Sequence, residues 1–252
     1  MVIAIYSDEK KTGRTTLLYM LLRKIRQQAE GIRSLAVCMN QGEYGKLLKM
    51  EGIRLEDGQS VSAIANMAYS GEISKLSEVL PEKDGVYFTG NKNSAVPISG
   101  EILKAFFEKA SHEFPLVFVD AAGGKRSRAT AEILDICDGA INVVVQDVEM
   151  LRDGKFRTGK DMAVVVNCYR DIYPCLEDVQ NMCRREKVFA LPWCDRLMDM
   201  RNKGEIDKYA ACDTDYNRII GEICGYVLAF AGLKNDGAKD SPKGTKMFGL
   251  FF

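Results

Sequence analysis

The sequence predicts an α/β fold: a three-layer, doubly wound and mostly parallel sheet with helices on both faces. Short continuous apolar runs, such as Val2 to Tyr6 and Leu116 to Val119, are typical of strands buried on both sides. Segments with apolar residues at helical spacing separate these runs. Strands alternating with helices predict parallel strands joined by helical crossovers.

The predicted elements follow one another along most of the chain. We predict strands at Val2 to Tyr6, Ser34 to Met39, Val86 to Phe88, Leu116 to Val119, Ala140 to Gln146, Met162 to Asn167 and Val188 to Leu191. We predict helices at Thr15 to Ala29, around Leu47 to Met50, and at Val61 to Leu80, Gly100 to Ala110, Ala129 to Ile136, Leu176 to Arg185, Leu197 to Lys203 and Asp213 to Leu233. The expected division is one domain over residues 1–233, with a linker and an apolar C-terminal tail over 234–252.

Composition narrows the functional classes. The chain of 252 residues has 35 acidic and 35 basic side chains, so it has no overall field that would attract nucleic acid or an anionic membrane. No apolar run approaches the ~20 residues of a membrane-spanning helix. The eight cysteines are scattered and form no C-x-x-C pair, which together with the absence of a signal peptide favours reduced thiols in the cytoplasm.

The first strand leads into a loop with the layout of a phosphate-binding loop. The usual pattern is G-x-x-x-x-G-K-[ST], in which backbone N–H groups and a helix N-terminus face the anion. Gly13 and Thr15 match that pattern. Asp8 stands in place of the first glycine and Arg14 in place of the lysine. The loop is therefore a degenerate phosphate-binding loop.

Two further stretches place polar side chains at strand ends. Leu116 to Val119 is followed by Asp120 and, three residues on, Gly123; this order suits a carboxylate near a metal and a turn that senses phosphate. Asn167 ends the Met162 to Asn167 strand. Ligands of open parallel sheets gather at these carboxyl ends.

Taken together, these stretches resemble the MinD/ParA group of P-loop ATPases. The pieces fall in family order: VIAIYS with GRTTLLYML, SLAVCMN, PLVFVDAAGG, ILDICDGAINVVVQD, AVVVNCYR and VFALPWCDRLMDMRNKGEI. The similarity is greatest to the atypical members that help to assemble and place Tad/Flp-type pili, which combine an imperfect loop with a long middle section. The resemblance implies ATP and Mg²⁺ as ligands.

The resemblance also implies a role for each matching residue of the phosphate end. Gly13 lets phosphate approach the backbone, and the Thr16 N–H contacts the α-phosphate. Thr15 and Asp120 hold Mg²⁺, and Asp120 is also the one candidate catalytic group. Arg14 replaces the loop lysine, and its planar guanidinium is not interchangeable with an ammonium.

At the base end, the resemblance implies that Asn167 reads the adenine amide edge and that Pro192 and Asp195 flank the base. Gly123 matches the turn that senses the γ-phosphate. The expected ligand is therefore an adenine nucleotide.

Several family positions are altered. Glu9 replaces the lysine that reaches across the dimer to the partner's nucleotide, and Asn40 replaces an acidic residue near Mg²⁺ and water. Lys10 and Lys11 replace loop glycines; either could substitute for the missing lysine. With Asp8 and Arg14 as well, this predicts nucleotide binding with weak or absent hydrolysis.

The resemblance implies a homodimer and, as partner, a pilus or secretion assembly protein. The tail Met247 to Phe252 offers peripheral contact with the inner face of the membrane. The basic cluster Lys125, Arg126 and Arg128 is more typical of a solvated face than of a nucleic-acid site.

Three functional hypotheses remain open at this point. The first is an ATP-dependent dimeric positional switch, and the second is a pseudo-ATPase scaffold that needs no nucleotide. The third is a reductase-like protein with an iron–sulfur cluster between subunits. The third ranks last because the nearest cysteine, Cys137, is distant from the Asp120 turn.

Overall fold

The strands form one sheet. The computed structural model describes residues 1–39, 45–91, 98–121, 128–152, 159–183 and 187–233. Among these residues the strands are β1 Val2–Tyr6, β2 Ser34–Cys38, β3 Glu82–Lys83, β4 Val86–Gly90, β5 Leu116–Asp120, β6 Gly139–Val145, β7 Asp161–Tyr169 and β8 Val188–Pro192. Their order across the sheet is β3-β4-β2-β5-β1-β6-β7-β8. All pair in parallel except β3, which is antiparallel to β4 at one edge.

Helices connect the strands. They are α1 Arg14–Gln28, α2 Lys46–Glu51, α3 Val61–Ser70, α4 Gly100–Glu113, α5 Arg128–Ile136, α6 Val148–Arg152, α7 Leu176–Cys183, α8 Asp195–Asn202, α9 Ile206–Ala210 and α10 Asp215–Phe230. A short 3₁₀ helix spans Leu76–Glu78. None of the described helices has the length and apolar content needed to cross a membrane.

The helices cover both faces of the sheet, which confirms the predicted three-layer arrangement. Alternate strand residues point to opposite faces: Ile3 and Ile5 join the core under α1, α2, α9 and α10, whereas Val2 and Ala4 join the core under α3, α4 and α5. Both faces of β1 are thus buried, which explains its continuous apolar sequence. Packing of the helices on the two faces of the sheet brings the start of α1 beside the carboxyl ends of β1 and β5.

The chain reverses direction across the sheet beside β1. The connections from β1 to β5 build the sheet to one side, and β6 to β8 then extend it to the other. Ligands of doubly wound folds bind at such a switch point, outside the carboxyl ends of the strands.

Residues 61–80 differ from the single predicted helix. Helix α3 ends at Ser70, and Gly71 follows with φ of 77°, a left-handed conformation that terminates helices. The apolar residues beyond it, including Leu76 and Leu80, pack into the same core from a 3₁₀ turn and a loop. The apolar spacing did not reveal the end of the helix because the helix and the segment after it both pack their apolar residues on the same face of the sheet.

A buried carboxylate ties three elements together on the α1 face. The Glu51 side chain, at the end of α2, is 0% exposed. Its oxygens lie 3.1 Å from Arg23 Nη2, 3.3 Å from Arg26 Nη1 and 3.7 Å from Lys83 Nζ. Because the cations come from α1 and β3, this cluster fixes α1 against the sheet edge.

Candidate functional site

The loop from Ser7 to Gly13 joins β1 to α1 at the carboxyl edge of the sheet. Gly13 has φ of 92° and immediately precedes α1, a conformation that glycine adopts without steric cost. The first N–H groups of a helix lack partners within it, and with the helix dipole they favour an anion. Glu9 and Lys10 are exposed on this loop, so its outer surface carries mixed charge.

Asn167 reaches from β7 to this loop. Its Nδ2 donates a hydrogen bond to the carbonyl oxygen of Thr12 at 2.7 Å. The pairing of β7 with β8 is irregular at this point, and Cys168 has φ of 58°. A Cβ added to Gly13 would lie 2.1 Å from Asn167 Nδ2. The loop and the end of β7 therefore approach so closely that only glycine fits between them.

Thr15 and Asp120 form a pair of oxygen donors beside the loop. Thr15 Oγ1 donates to Asp120 Oδ2 at 2.7 Å. Asp120 lies opposite Ile5 in the parallel pairing of β5 with β1, which brings its carboxylate to the first turn of α1. Hydroxyl and carboxylate oxygens are suitable Mg²⁺ ligands, and the hydroxyl keeps lone pairs for a metal while it donates. The pair fits a Mg²⁺ ion that completes its shell with phosphate and water.

Arg14 is directed at the end of β5. It is 9% exposed, and its Nη1 donates to the carbonyl oxygen of Ala121 at 2.5 Å. Burial lowers the pKa of Arg14 from its usual value, and the nearby Asp120 carboxylate opposes that effect. The guanidinium therefore links α1 to the segment after β5, a contact that the smaller ammonium of a lysine would not reproduce.

The turn after β8 forms the opposite end of the site. Pro192 lies beside Tyr169 in the irregular β7–β8 pairing, and the Trp193 N–H donates to the Tyr169 carbonyl oxygen at 2.9 Å. Trp193 Nε1 donates to Asp195 Oδ1 at 2.8 Å. Asn167 and this turn therefore lie at neighbouring strand ends, and the Asp195 carboxylate orients the indole ring.

Gln146 is a contributor that sequence reasoning left without a function. It follows β6, and its side chain holds the loop after β7 in place: Oε1 accepts from the Arg170 N–H at 3.0 Å. Nε2 lies within hydrogen-bond distance of the carbonyl oxygens of Arg170, Ile172 and Pro174, at 3.0, 2.8 and 2.7 Å. A polar side chain at the carboxyl end of the strand next to β7 was the available signal.

The structure places most of the predicted site residues at one edge of the sheet. The loop, first-turn and strand-end positions are Gly13, Arg14, Thr15, Thr16, Asp120, Asn167, Pro192 and Asp195. Other predicted positions lie outside the described residues, and these are Asn40, Gly123, Lys125, Arg126 and the linker and tail over 234–252.

Cys137, the cysteine nearest to the Asp120 turn in the sequence, lies away from that turn in the structure. All eight cysteines are free thiols. Cys137 is buried and its Sγ donates to the Leu134 carbonyl oxygen at 3.4 Å. The next residue, Asp138, donates its N–H to the Val2 carbonyl oxygen at the start of β1, so Cys137 lies at the sheet edge opposite Asp120. Within the described ranges, no three His, Cys, Asp or Glu side chains are grouped to hold a metal.

A separate cleft of about 500 Å³ lies between α1 and α10, away from the loop. It is lined by mixed charges, among them Lys24, Asp213, Arg218 and Glu222. Arg218 Nη1 lies 2.6 Å from Glu222 Oε1, so two of these charges compensate one another. The strand-end site has the more specific arrangement of polar groups.

The parallel sheet, the strand–loop–helix at its switch point and the carboxylate at the end of β5 define an α/β P-loop NTPase fold. Solved structures of MinD and ParA proteins share it. A MinD protein from Pyrococcus horikoshii complexed with Mg-ADP aligns with a TM-score of 0.72 at 17% identity, over 93% of this chain and 98% of that one. MinD in a MinC:MinD complex from Aquifex aeolicus aligns with a TM-score of 0.69 at 18% identity, over 98% and 99%.

A ParA family ATPase from Chlorobium tepidum aligns with a TM-score of 0.69 at 14% identity, over 88% of this chain and 98% of that one. Neither the protein-family models nor the curated protein sequences match this chain. The fold is therefore of the MinD/ParA type, established by backbone geometry.

Proposed function

We propose that this protein is an atypical MinD/ParA-like nucleotide-binding switch with weak or absent ATP hydrolysis. It binds ATP with Mg²⁺ and, in that state, forms a homodimer that positions a pilus, secretion or cell-organisation machinery. The observation that carries the proposal is the Thr15–Asp120 hydrogen bond, at 2.7 Å, beside the left-handed Gly13 at the N-terminus of α1. Together these groups provide backbone donors for phosphate and oxygen ligands for a divalent cation.

Each residue at the phosphate end has one role in this proposal. The backbone at Gly13 and Thr16 receives the phosphates, and Gly123 senses the γ-phosphate. Thr15 and Asp120 hold Mg²⁺, which when bound neutralises phosphate charge.

Asn167 serves the adenine end in this proposal. One N–H of its amide holds the Thr12 carbonyl oxygen. A side-chain amide has a second N–H and a carbonyl oxygen, so a donor and an acceptor remain for the adenine edge. One side chain can therefore hold the loop and read the base.

Slow hydrolysis follows from the groups around the γ-phosphate position. Catalysis in this fold is mainly positioning and charge stabilisation. Glu9 places negative charge on the exposed loop where the family has a lysine, and Arg14 is engaged with Ala121. Asp8 also adds a carboxylate to an anion-binding loop. These changes weaken turnover more than they weaken binding.

The same proposal includes where the dimer acts. The MinD neighbour from Aquifex aeolicus is in complex with MinC, which supports a protein partner for this fold. We propose a cytoplasmic protein whose tail, Met247 to Phe252, makes peripheral contact with the membrane. Nucleic acid is not a proposed partner, since the described member of the basic cluster, Arg128, pairs with Glu132 at 2.9 Å.

One observation favours a second function, a pseudo-ATPase scaffold that needs no nucleotide. Arg14 already links α1 to the segment after β5, the two regions that a bound nucleotide and Mg²⁺ would connect. An arginine in that contact stabilises one arrangement without ligand. In this alternative, dimerisation is independent of ATP.

Calorimetry with Mg-ATP tests nucleotide binding. We expect wild type to bind ATP in the micromolar range and Asn167→Ala to bind more weakly. Because Asn167 also holds the loop, the decisive readout is selectivity: the variant should lose preference for ATP over GTP. An absence of heat with wild type at millimolar ATP would overturn the switch and leave the scaffold.

Light scattering after size-exclusion chromatography tests the switch itself. The switch predicts a monomer without nucleotide and a dimer with Mg-ATP, and Asp120→Asn should reduce the dimer fraction because it weakens Mg²⁺ binding. A dimer of equal abundance with and without ATP would favour the scaffold.

A further inference from the structure

We infer that Trp193 is the platform on which the nucleobase stacks, and that Asp195 acts as its positioning residue. This inference rests on the proposed nucleotide binding and deepens it, because it names the contact that supplies affinity for the base. The sequence resemblance places Pro192 and Asp195 beside the base and gives Trp193 no role.

The position of Trp193 connects it to the site. Its backbone N–H donates to the carbonyl oxygen of Tyr169, two residues after Asn167 in β7. Asn167 in turn contacts the phosphate loop at Thr12. The phosphate loop therefore contacts Asn167, and the strand that carries Asn167 contacts the backbone of Trp193. All three lie along the carboxyl edge of the sheet. A nucleotide with its phosphates at Gly13 extends in that direction to reach Asn167.

The indole ring is both exposed and fixed. Trp193 is 40% exposed, unlike the buried aromatic residues of the two cores. Its Nε1 donates to Asp195 Oδ1 at 2.8 Å, which fixes the ring orientation. The Asp195 carboxylate is itself held at the start of α8, where the helix dipole favours negative charge. A ring held this way loses little conformational entropy when a base stacks on it.

The ring already holds a planar group. The guanidinium carbon of Arg170 lies 4.6 Å from the centroid of the Trp193 ring. A planar guanidinium stacks on an indole much as a purine does. The Gln146 side chain hydrogen-bonds both the N–H and the carbonyl oxygen of Arg170, which holds the Arg170 backbone in place. The guanidinium covers one side of the indole, so the base would stack on the part of the ring that stays exposed.

Stacking supplies affinity without selecting the base, since every base has a π face. Truncating a stacking aromatic typically weakens binding by about 5- to 150-fold per base. Discrimination between adenine and guanine remains with Asn167. The two residues therefore predict separable effects: Trp193 governs affinity for any nucleoside triphosphate, and Asn167 governs the choice of base.

The chain contains a single tryptophan, so its indole fluorescence reports on this position alone. We expect Mg-ATP and Mg-GTP to change the tryptophan emission of wild type. Inorganic tripolyphosphate, which has the phosphates without a base, should leave the emission unchanged at concentrations that compete with ATP. This comparison separates stacking from an effect of phosphate binding on the loop.

Calorimetry of variants decides the inference. Trp193→Ala should bind Mg-ATP about 5- to 150-fold more weakly and tripolyphosphate with unchanged affinity. Trp193→Phe keeps an aromatic ring but loses the hydrogen bond to Asp195, so its ATP affinity should fall between those of Trp193→Ala and wild type. Asp195→Ala should weaken ATP binding, and Asp195→Asn, which keeps an acceptor oxygen, should restore it. Tyr69→Ala removes another exposed aromatic side chain, on α3, and serves as the matched control. Circular dichroism confirms that each variant is folded.

Two results would overturn the inference. ATP affinity within about twofold of wild type in folded Trp193→Ala, well under the loss expected for a stacking aromatic, would remove the platform and leave the proposed nucleotide binding intact, whatever the fluorescence shows. No binding of ATP by wild type would remove both together.

Discussion

Substituting Gly13 by alanine tests the close approach of the phosphate loop to β7. The backbone at Gly13 has φ of 92°, and the new Cβ would lie 2.1 Å from Asn167 Nδ2. The side chain of Asn167 must then move, which breaks its hydrogen bond to the Thr12 carbonyl oxygen. Two separate costs are expected, one from backbone strain and one from the lost contact.

The magnitudes of these costs follow from the geometry. A left-handed conformation costs a residue other than glycine about 1–2 kcal/mol. A lost hydrogen bond costs about 0.5–1.5 kcal/mol. We therefore expect Gly13→Ala to lower the free energy of unfolding by about 1.5–3.5 kcal/mol, measured by urea denaturation.

The chain offers a matched control for backbone strain. Gly31 has φ of 87°, and a Cβ there meets no atom within 4 Å. Gly31→Ala should therefore cost about 1–2 kcal/mol, the strain alone. The difference in free energy of unfolding between Gly13→Ala and Gly31→Ala therefore measures the contact between Gly13 and Asn167.

A double-mutant cycle with Asn167→Ala completes the test. Gly13→Ala and Asn167→Ala each lose the same hydrogen bond. The loss in free energy of unfolding for the double variant should therefore be about 1 kcal/mol smaller than the sum of the losses for the two single variants. Two results would refute the close packing of this loop against β7. One is a loss in free energy of unfolding for the double variant that equals the sum of the single losses within about 0.5 kcal/mol. The other is an equal loss for Gly13→Ala and Gly31→Ala.

Three further variants test other contacts. Glu51→Ala removes the buried partner of Arg23, Arg26 and Lys83; because Arg23 keeps Asp207 at 2.9 Å and Lys83 is partly exposed, the free energy of unfolding in urea should fall by about 1.5–3 kcal/mol. Arg14→Lys should cost about 1.5–3 kcal/mol by loss of the charged contact to Ala121, yet tighten Mg-ATP binding in calorimetry, because the ammonium is free to turn toward the phosphates. For Glu113, partial burial raises the pKa, but hydrogen bonds from Ser77 and Leu76 and the charge of Arg33 outweigh it and lower the pKa below its usual value. The ionised Glu113 carboxylate stabilises the fold at pH values above the pKa that Glu113 has in the unfolded chain, and this stabilisation is lost as the pH falls through its pKa in the folded protein. Glu113→Gln should therefore reduce the fall in free energy of unfolding at acid pH.

Each of these has an outcome that contradicts it. A loss of under about 1 kcal/mol for Glu51→Ala would mean that the cations find water when the carboxylate is absent. Weaker ATP binding by Arg14→Lys would mean that the guanidinium, and not an ammonium, contacts the phosphates. An unchanged acid limb in Glu113→Gln would assign the acid sensitivity to other carboxylates.

The central strands could be predicted from sequence because burial on both faces leaves a simple pattern. β1 is a continuous apolar run for that reason, and β6 is apolar apart from Asn142. The break after Ser70 could not be predicted in the same way. Its apolar spacing continues past Gly71, and only the left-handed backbone at that glycine ends α3.

The location of the candidate residues at one edge of the sheet could be predicted, but the direction of their side chains could not. Strand ends in a parallel sheet converge, so Asp120 and Asn167 were expected near the loop. That Arg14 is directed at the Ala121 carbonyl depends on where β5 ends in space, which no local pattern encodes. The role proposed for Trp193 was hidden for a similar reason, since Arg170 approaches its ring only in the fold.

The geometry separates the two requirements of a nucleotide switch. In the proposed function, binding needs backbone donors, a pair of metal ligands and a surface for the base, and the residues proposed for these roles lie at strand ends, on the first turn of α1 and in the turn after β8. Hydrolysis needs a cation near the γ-phosphate; Arg14 is engaged with Ala121, so this role would fall to the exposed Lys10 or Lys11, neither of which occupies the position of the family lysine. A protein that retains the first set and in which the second is weakened can respond to ATP without consuming it quickly. Its bound state would then persist until the nucleotide dissociates, so dissociation rather than turnover would reset the switch.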